Sequence, residues 1–384
     1  MPDSSHVQSG PAAGSTRVVT ETRLFPLAAL YGALSVPAFV LGWTGLLPTL
    51  PGLRTPAGHA HELLFGYALA VVAGFLINRV SAPRLALMMV LWLGARLAFL
   101  FMPGSLPAIA LNLGFAALVA ATAAPRFMKA AKKWRNRLTG PLVLAICAAA
   151  AGFQLLSFHG GGLLSYLLLG EAVVLFAMLM LFFGGRLIAP AAAGVIEGAG
   201  GTLTARVQPN IEGAILLAMI AAAGTAFIPA AGPVHGLLLV VTGTLALVRL
   251  GRWQLWLCRR RADLLCLGVG YAWLGIGLLL LGAERGFGIG LPANAATHAI
   301  TVGALGTLTT SVMLRTRLLR LRIPLDQVGG YFAVMTVLVS LAALARLLGG
   351  ASHAGLLLAA VAWSSALLVL FALLQRFRQR VQPG

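Results

Sequence analysis

Three histidines in two short motifs hold most of the chemistry this sequence can offer. The first motif is Gly58-His59-Ala60-His61-Glu62. Imidazole is the commonest metal ligand and the usual axial ligand of haem. Residues i and i+2 of a helix point about 200° apart, so His59 and His61 share one face only if His59 sits in a loop or first turn and bends back. Glu62 is placed to orient a ligating imidazole by accepting its second N–H. An interfacial polar segment that merely caps a helix accounts for the same residues. The spacing is not the H-E-x-x-H of zinc hydrolases. The second motif is Thr297-His298-Ala299-Ile300-Thr301-Val302-Gly303-Ala304-Leu305-Gly306. On a helix His298 and Thr301 share a face. Gly303 and Gly306 admit either a neighbouring helix or a flat macrocycle. A histidine at a helix end above a small-residue face suits an axial haem ligand.

These motifs must be positioned by a membrane bundle. The chain has 384 residues, 59% hydrophobic and only 10% charged, whereas soluble domains carry roughly 25% charged residues. A span needs about 20 apolar residues. Twelve such segments are predicted near 24–47, 60–79, 85–102, 106–124, 138–158, 163–183, 211–229, 234–250, 263–283, 294–314, 327–348 and 353–374. Their length favours helices over alternating membrane strands. The expected fold is therefore all-α, a polytopic bundle at 24–374. A disordered tail at 1–23, with no signal-peptide core, and a short tail at 375–384 flank it.

The net charge of +19 records orientation. With twelve spans, 24 of the 28 Lys and Arg fall in the even-numbered loops and the two tails. They include Lys132, Lys133 and Arg135 in the fourth loop and Arg380 in the C-terminal tail. The positive-inside rule then puts both termini in the cytoplasm. A nucleic-acid partner is unnecessary; the partner is the lipid bilayer. His59, His61, His159, His235, His298 and His353 all gather at the opposite, outer face. His159, His235 and His353 are expected in short wet loops. Cys147, Cys258 and Cys266 form no framework and are given no role.

Two charges inside spans carry weight, because burying them is costly and marks function. Arg96 in the third span and Glu171 in the sixth reach similar depths in the outer half. They can pair with each other, Arg96 can hold a haem propionate, or the two can form a purely structural ion pair. Arg346 is close enough to the interface to snorkel.

The same residues carry a family resemblance. His59 through Tyr67, continuing Ala73-Gly74-Phe75-Leu76, resembles the second helix of the NnrS family. His298 through Gly306 and on to Val312-Met313-Leu314-Arg315 is similar to a second family motif. Shorter matches are Leu91 through Arg96, Lys133-Trp134-Arg135-Asn136, Gly185 through Pro190, and Gly270 through Leu274. The resemblance implies a multi-pass protein of the bacterial inner membrane that contains haem b and copper and serves the nitric oxide response, with nitric oxide as its diatomic ligand. Carried over by position, it implies His59, His61 and His298 as ligands, supported by Glu62 and Arg96. The sequence departs from the family at Gly58, where tryptophan is usual, at Gly268, where histidine is common, and at Arg320, near the place of a lost His-Thr-Gly-Arg motif. An Asn-Trp-Thr-Gly segment is reduced to Asn78-Arg79. These departures leave fewer histidines than the family pattern to hold copper beside haem. The sequence names no catalytic residue, redox partner or turnover. The rival reading is a proton-coupled secondary transporter using Glu171, which would call for discontinuous helices or an internal repeat.

Overall fold

The computed structural model describes residues 17–130 and 137–378. The tail before residue 17, Lys132, Lys133, Arg135, the Lys133-Trp134-Arg135-Asn136 match and Arg380 lie outside the described residues.

Among the described residues the chain is almost wholly helical. Its helices are α1 (Glu21–Trp43), α2 (Pro56–Ile77), α3 (Ala82–Phe101), α4 (Leu106–Ala130), α5 (Thr139–Phe158) and α6 (Gly162–Gly198). There follow α7 (Pro209–Thr225), α8 (Gly232–Gly251), α9 (Ala262–Phe287), α10 (293–320), α11 (Gly329–Leu348) and α12 (His353–Arg376). Each overlaps one of the twelve predicted segments. Ten helices are long and apolar enough to cross a membrane, and α7 is shorter. Leucines and valines such as Leu34, Val90, Leu93, Val337 and Val361 point outward on these helices. On a water-facing surface that apolar cover would be untenable; against lipid it is the expected solvent face. The chain is a polytopic α-helical membrane protein.

Two boundaries differ from expectation. Residues 17–23, read as tail, are ordered: β1 (Arg17–Val19) pairs antiparallel with β2 (Arg79–Ser81), and α1 starts at Glu21. Thr20 ties this entry to the end of α2, donating its N–H to the Asn78 carbonyl at 2.9 Å and its hydroxyl to the Gly74 carbonyl at 3.2 Å. The second difference is α6, expected to end near residue 183. It runs 37 residues, because nothing after Phe183 interrupts the backbone ladder; even Pro190 is accommodated within the helix.

The two ends of the bundle differ chemically. At the end holding both described termini, three carboxylates each meet two arginines. Glu21 contacts Arg317 at 3.0 Å and Arg320 at 3.1 Å, Asp263 pairs with Arg261 at 2.8 Å and with Arg315, and Glu212 contacts Arg186 at 2.8 Å and Arg249 at 4.0 Å. The predicted histidines lie at the other end, in the first turns of α2, α8 and α12, early in α10 and at the close of α5.

The most enclosed spans measured are α2 and α6. Both histidine-bearing helices, α2 and α10, leave the α-helical repeat just after their motifs. A π-helical stretch covers Glu62–Ala68 in α2 and Ala299–Ala304 in α10. Such widened turns are uncommon and collect at functional sites, because they swing side chains off the regular spiral and leave backbone groups to be satisfied elsewhere. In α2 one such group has found a partner: the Trp92 indole on α3 donates to the Gly66 carbonyl at 2.8 Å.

Candidate functional site

At the histidine-bearing end of the bundle, among α1, α2, α6, α9, α10, α11 and α12, lies a cavity of about 490 Å³, within the usual range for small-molecule and cofactor sites. Its walls are mostly apolar and aromatic, with Phe39, Trp43, Tyr67, Tyr166 and Trp363 among them. His59, His298 and Thr301 line it; His61, Glu62, Arg96 and Glu171 are not among its lining residues.

His298 is held as a ligating imidazole is usually held. Its Nδ1 donates to the Asn294 carbonyl one turn earlier, at 2.5 Å, which leaves the Nε2 lone pair unprotonated and available. Thr301 Oγ1 donates back to the Thr297 carbonyl at 3.0 Å, so its methyl and hydroxyl follow the helix wall beside His298. His59 stacks on Phe39 with ring centres 4.2 Å apart. Its Nδ1 is buried with no hydrogen-bond partner. A buried ring nitrogen without a partner, on a residue that lines the cavity, is hydrogen-bonding capacity that the protein itself does not use.

His61 is turned away. Pro56–His61 is already helical, so the i, i+2 geometry stands and His59 does not bend back. The His61 ring lies between Phe99 (4.1 Å) and Phe153 (4.9 Å). Its Nδ1 meets Glu62 Oε1 at 2.9 Å and its Nε2 lies 2.7 Å from the Gln154 side-chain amide. Both ring nitrogens are engaged. Glu62 does orient an imidazole, as the sequence led one to expect, but that imidazole is His61.

Arg96 belongs to the same buried cluster. Its Nη1 donates to Glu62 Oε1 at 2.5 Å and its Nη2 to Asn112 Oδ1, while Tyr31 donates its hydroxyl to Glu62 Oε2. It does not pair with Glu171. Glu171 interacts electrostatically with Arg285, and its Oε2 is buried without a hydrogen-bond partner. The two in-span charges therefore serve two separate assemblies.

The glycines of α10 are spent on helix packing. A Cβ at Gly303 would meet the Trp273 indole at 2.6 Å, and one at Gly306 would meet Trp363 at 2.6 Å. Gly58, where the family has tryptophan, lies under the Gly52 carbonyl, which leaves no room for any side chain. Gly268 is filled over by Leu255. Two other departures touch: Arg320 Nη2 donates to Asn78 Oδ1 at 3.0 Å.

Several site residues had no functional assignment from sequence. Arg285 and Arg346, the latter expected only to snorkel, line the cavity, and Arg285 donates to His235 Nε2 at 3.0 Å. His235 is buried, not in a wet loop. Gln154, Asn112 and Tyr31 complete the His61 cluster. Among the described residues, no group of three or more His, Cys, Asp or Glu converges to hold a metal ion.

Fold and site together define a polytopic helical membrane protein with a histidine-lined cavity at one membrane face, set between two helices with π-helical turns. Residues 23–377 match the family model of the NnrS protein, nearly the whole chain, and the chain belongs to the NnrS family. No curated protein matches it.

Proposed function

We propose that this is a haem protein of the bacterial inner membrane acting in the nitric oxide response, with haem b held in the outer cavity by His298 and His59. The observation that carries the reading is the pairing of His298, whose Nδ1–H is fixed on a carbonyl, with a partnerless His59 on the wall of one largely apolar cavity. The fit is chemical: two imidazoles with free nitrogens, an aromatic lining and a volume suited to a cofactor. Bound there, haem supplies an iron that binds small diatomic ligands such as nitric oxide and exchanges one electron at a time.

The chain's own contribution is positioning and exclusion. Asn294 fixes the His298 tautomer, and Phe39 fixes the His59 ring plane. Tyr67, whose hydroxyl lies 2.7 Å from Thr309 Oγ1, closes the cavity toward the membrane centre. The basic loops at the opposite end orient the cavity toward the outer face by the positive-inside rule. Copper is a poorer fit. His61 is committed to Glu62 and Gln154, so the three histidines do not form one donor set, and no step is assigned to copper.

The deciding measurement is the absorption spectrum of detergent-purified protein made with ample haem. A Soret band that is lost or shifted in His298→Ala and His59→Ala supports the proposal. Absence of the band, or a band indifferent to both substitutions, overturns it.

Proton-coupled transport has one observation in its favour: Glu171 Oε2 is buried and partnerless on α6, next to the cavity-lining Gly170. Proton-driven uptake into proteoliposomes that disappears in Glu171→Gln would establish that reading instead.

A further inference from the structure

The fully charged side chains of the cavity wall are all cationic. Arg285 near the end of α9 and Arg346 near the end of α11 line it, and no Asp or Glu does. Both sit in the last turn of their helices, where a long side chain can follow the apolar wall and keep its charged head at the cavity mouth. Each is anchored by one nitrogen. Arg285 Nη1 donates to His235 Nε2 at 3.0 Å, and His235 is itself fixed by donating Nδ1 to the Ala222 carbonyl at 2.9 Å. The opposite nitrogen, Nη2, passes Gly170, where a Cβ would sit 3.1 Å away. Arg346 Nη1 donates to the Gly350 carbonyl at 2.5 Å. Among the described residues neither has a carboxylate within ion-pair distance. Glu171 acts on Arg285 at longer range and offsets one charge at most.

Arg285 is exposed and Arg346 half-buried, and two cations on the wall of one mostly apolar cleft favour an anionic guest, because opposite charges attract more strongly beside a low-dielectric surface than in bulk water. Arg96 is unsuited to the task, its Nη1 and Nη2 being taken by Glu62 and Asn112. We propose that Arg285 and Arg346 form a carboxylate clamp that receives the two propionates of the haem ligated at His298 and His59. This inference rests on the haem reading above. It makes the outer ends of α9 and α11 the side that recognises the charged edge of the macrocycle. The shared chemistry is anionic oxygen, which the phosphate of an acidic lipid headgroup also offers.

The test uses the full chain produced without haem and placed in phosphatidylcholine nanodiscs. It is titrated with iron protoporphyrin IX and with its dimethyl ester, which lacks the two charges, and binding is followed by the Soret change. Hydrogen bonds to charged groups and tenfold steps in affinity are of similar size, so the free acid is expected to bind about a hundredfold tighter than the ester. Arg285→Gln and Arg346→Gln each reduce that preference about tenfold, the lysine variants less, and affinity for the ester stays unchanged, which shows that the pocket is intact. Equal binding of acid and ester by the unsubstituted protein, or a preference that survives the double substitution, overturns the clamp while leaving the haem site standing. Binding of neither porphyrin overturns the haem reading and the clamp with it. A preference abolished by phosphatidylglycerol in the nanodisc assigns the arginines to lipid phosphate and also overturns the clamp.

Discussion

Gln154 on α5 places its side-chain amide 2.7 Å from Nε2 of His61 on α2, while Glu62 takes the other ring nitrogen at 2.9 Å. The two histidines of one H-x-H motif thus do different jobs. His59 faces the cavity and His61 fastens α2 to its neighbours. Replacing His61 removes a fully buried ring stacked on Phe99 and Phe153, leaves the Gln154 amide without its partner, and takes one of three partners from Glu62, which keeps Arg96 and Tyr31. Truncating a buried aromatic side chain typically costs about 3–5 kcal/mol. His61→Ala should therefore lower the thermal midpoint sharply, yet the molecules that remain folded should keep the haem spectrum. His59→Ala and His298→Ala should do the reverse. Thermal melts and spectra of the three variants side by side check this, and spectral loss confined to His61→Ala would refute it.

Glu62 and Arg96 form a buried ion pair that also engages Tyr31 and Asn112. Removing one member of such a pair strands the other, at a cost of about 3–5 kcal/mol, whereas removing both is far milder. Glu62→Gln and Arg96→Met should each destabilise strongly, and the double variant should be more stable than either single one. A double-mutant cycle on denaturation midpoints in detergent measures the coupling. Additive single effects would show that the pair is not the unit described.

The reach of the sequence was set by what is local. Apolar runs of span length and the sorting of basic residues are properties of contiguous segments, so the twelve helices and the two chemically distinct ends could be read directly. The 200° rule for His59 and His61 was also local, and it held once Pro56–His61 proved helical. What escaped was long-range. Glu62 and Arg96 are 34 residues apart and His61 and Gln154 are 93 apart; nothing in spacing announces such pairings. One signal was available for Arg285 and Arg346. They are basic residues at the end of the bundle that the positive-inside rule keeps poor in cations, and a cation there needs a reason. The π-helical turns at Glu62–Ala68 and Ala299–Ala304 gave no signal, because neither segment differs in spacing or composition from an ordinary apolar helix.

Helices α8 and α9 meet through glycine backbones. A Cβ at Gly282 would lie 2.6 Å from the Gly236 carbonyl, and one at Gly243 would lie 2.6 Å from the Gly275 carbonyl. Small residues at such crossings let membrane helices approach closely. The obstruction is backbone, so no rotamer change relieves it. Gly243→Val should push α8 from α9 and, through His235 on α8, unseat Arg285 on α9. The measurable outcome is a lower thermal midpoint together with a weaker preference of the protein for free-acid porphyrin over its ester. A variant with unchanged stability would mean that the contact is looser than described.

Glu171 separates the two functional readings. Its carboxyl is buried beside the cavity with no hydrogen-bond partner, and its electrostatic partner is Arg285. If the cavity houses haem, Glu171 tempers the positive field of Arg285, and Glu171→Gln removes that restraint without touching a ligand. The Soret band should then persist. The preference for free-acid porphyrin should rise several-fold, because Arg285 is left with the propionate as its only nearby anion. If the cavity moves protons with a solute, the same substitution abolishes coupled uptake instead, since a glutamine cannot release and rebind a proton. One variant and two assays, porphyrin titration and proteoliposome uptake, therefore give opposite patterns. Retained haem with sharpened acid preference favours the cofactor site, whereas lost proton-driven uptake with no Soret band at all favours the transporter.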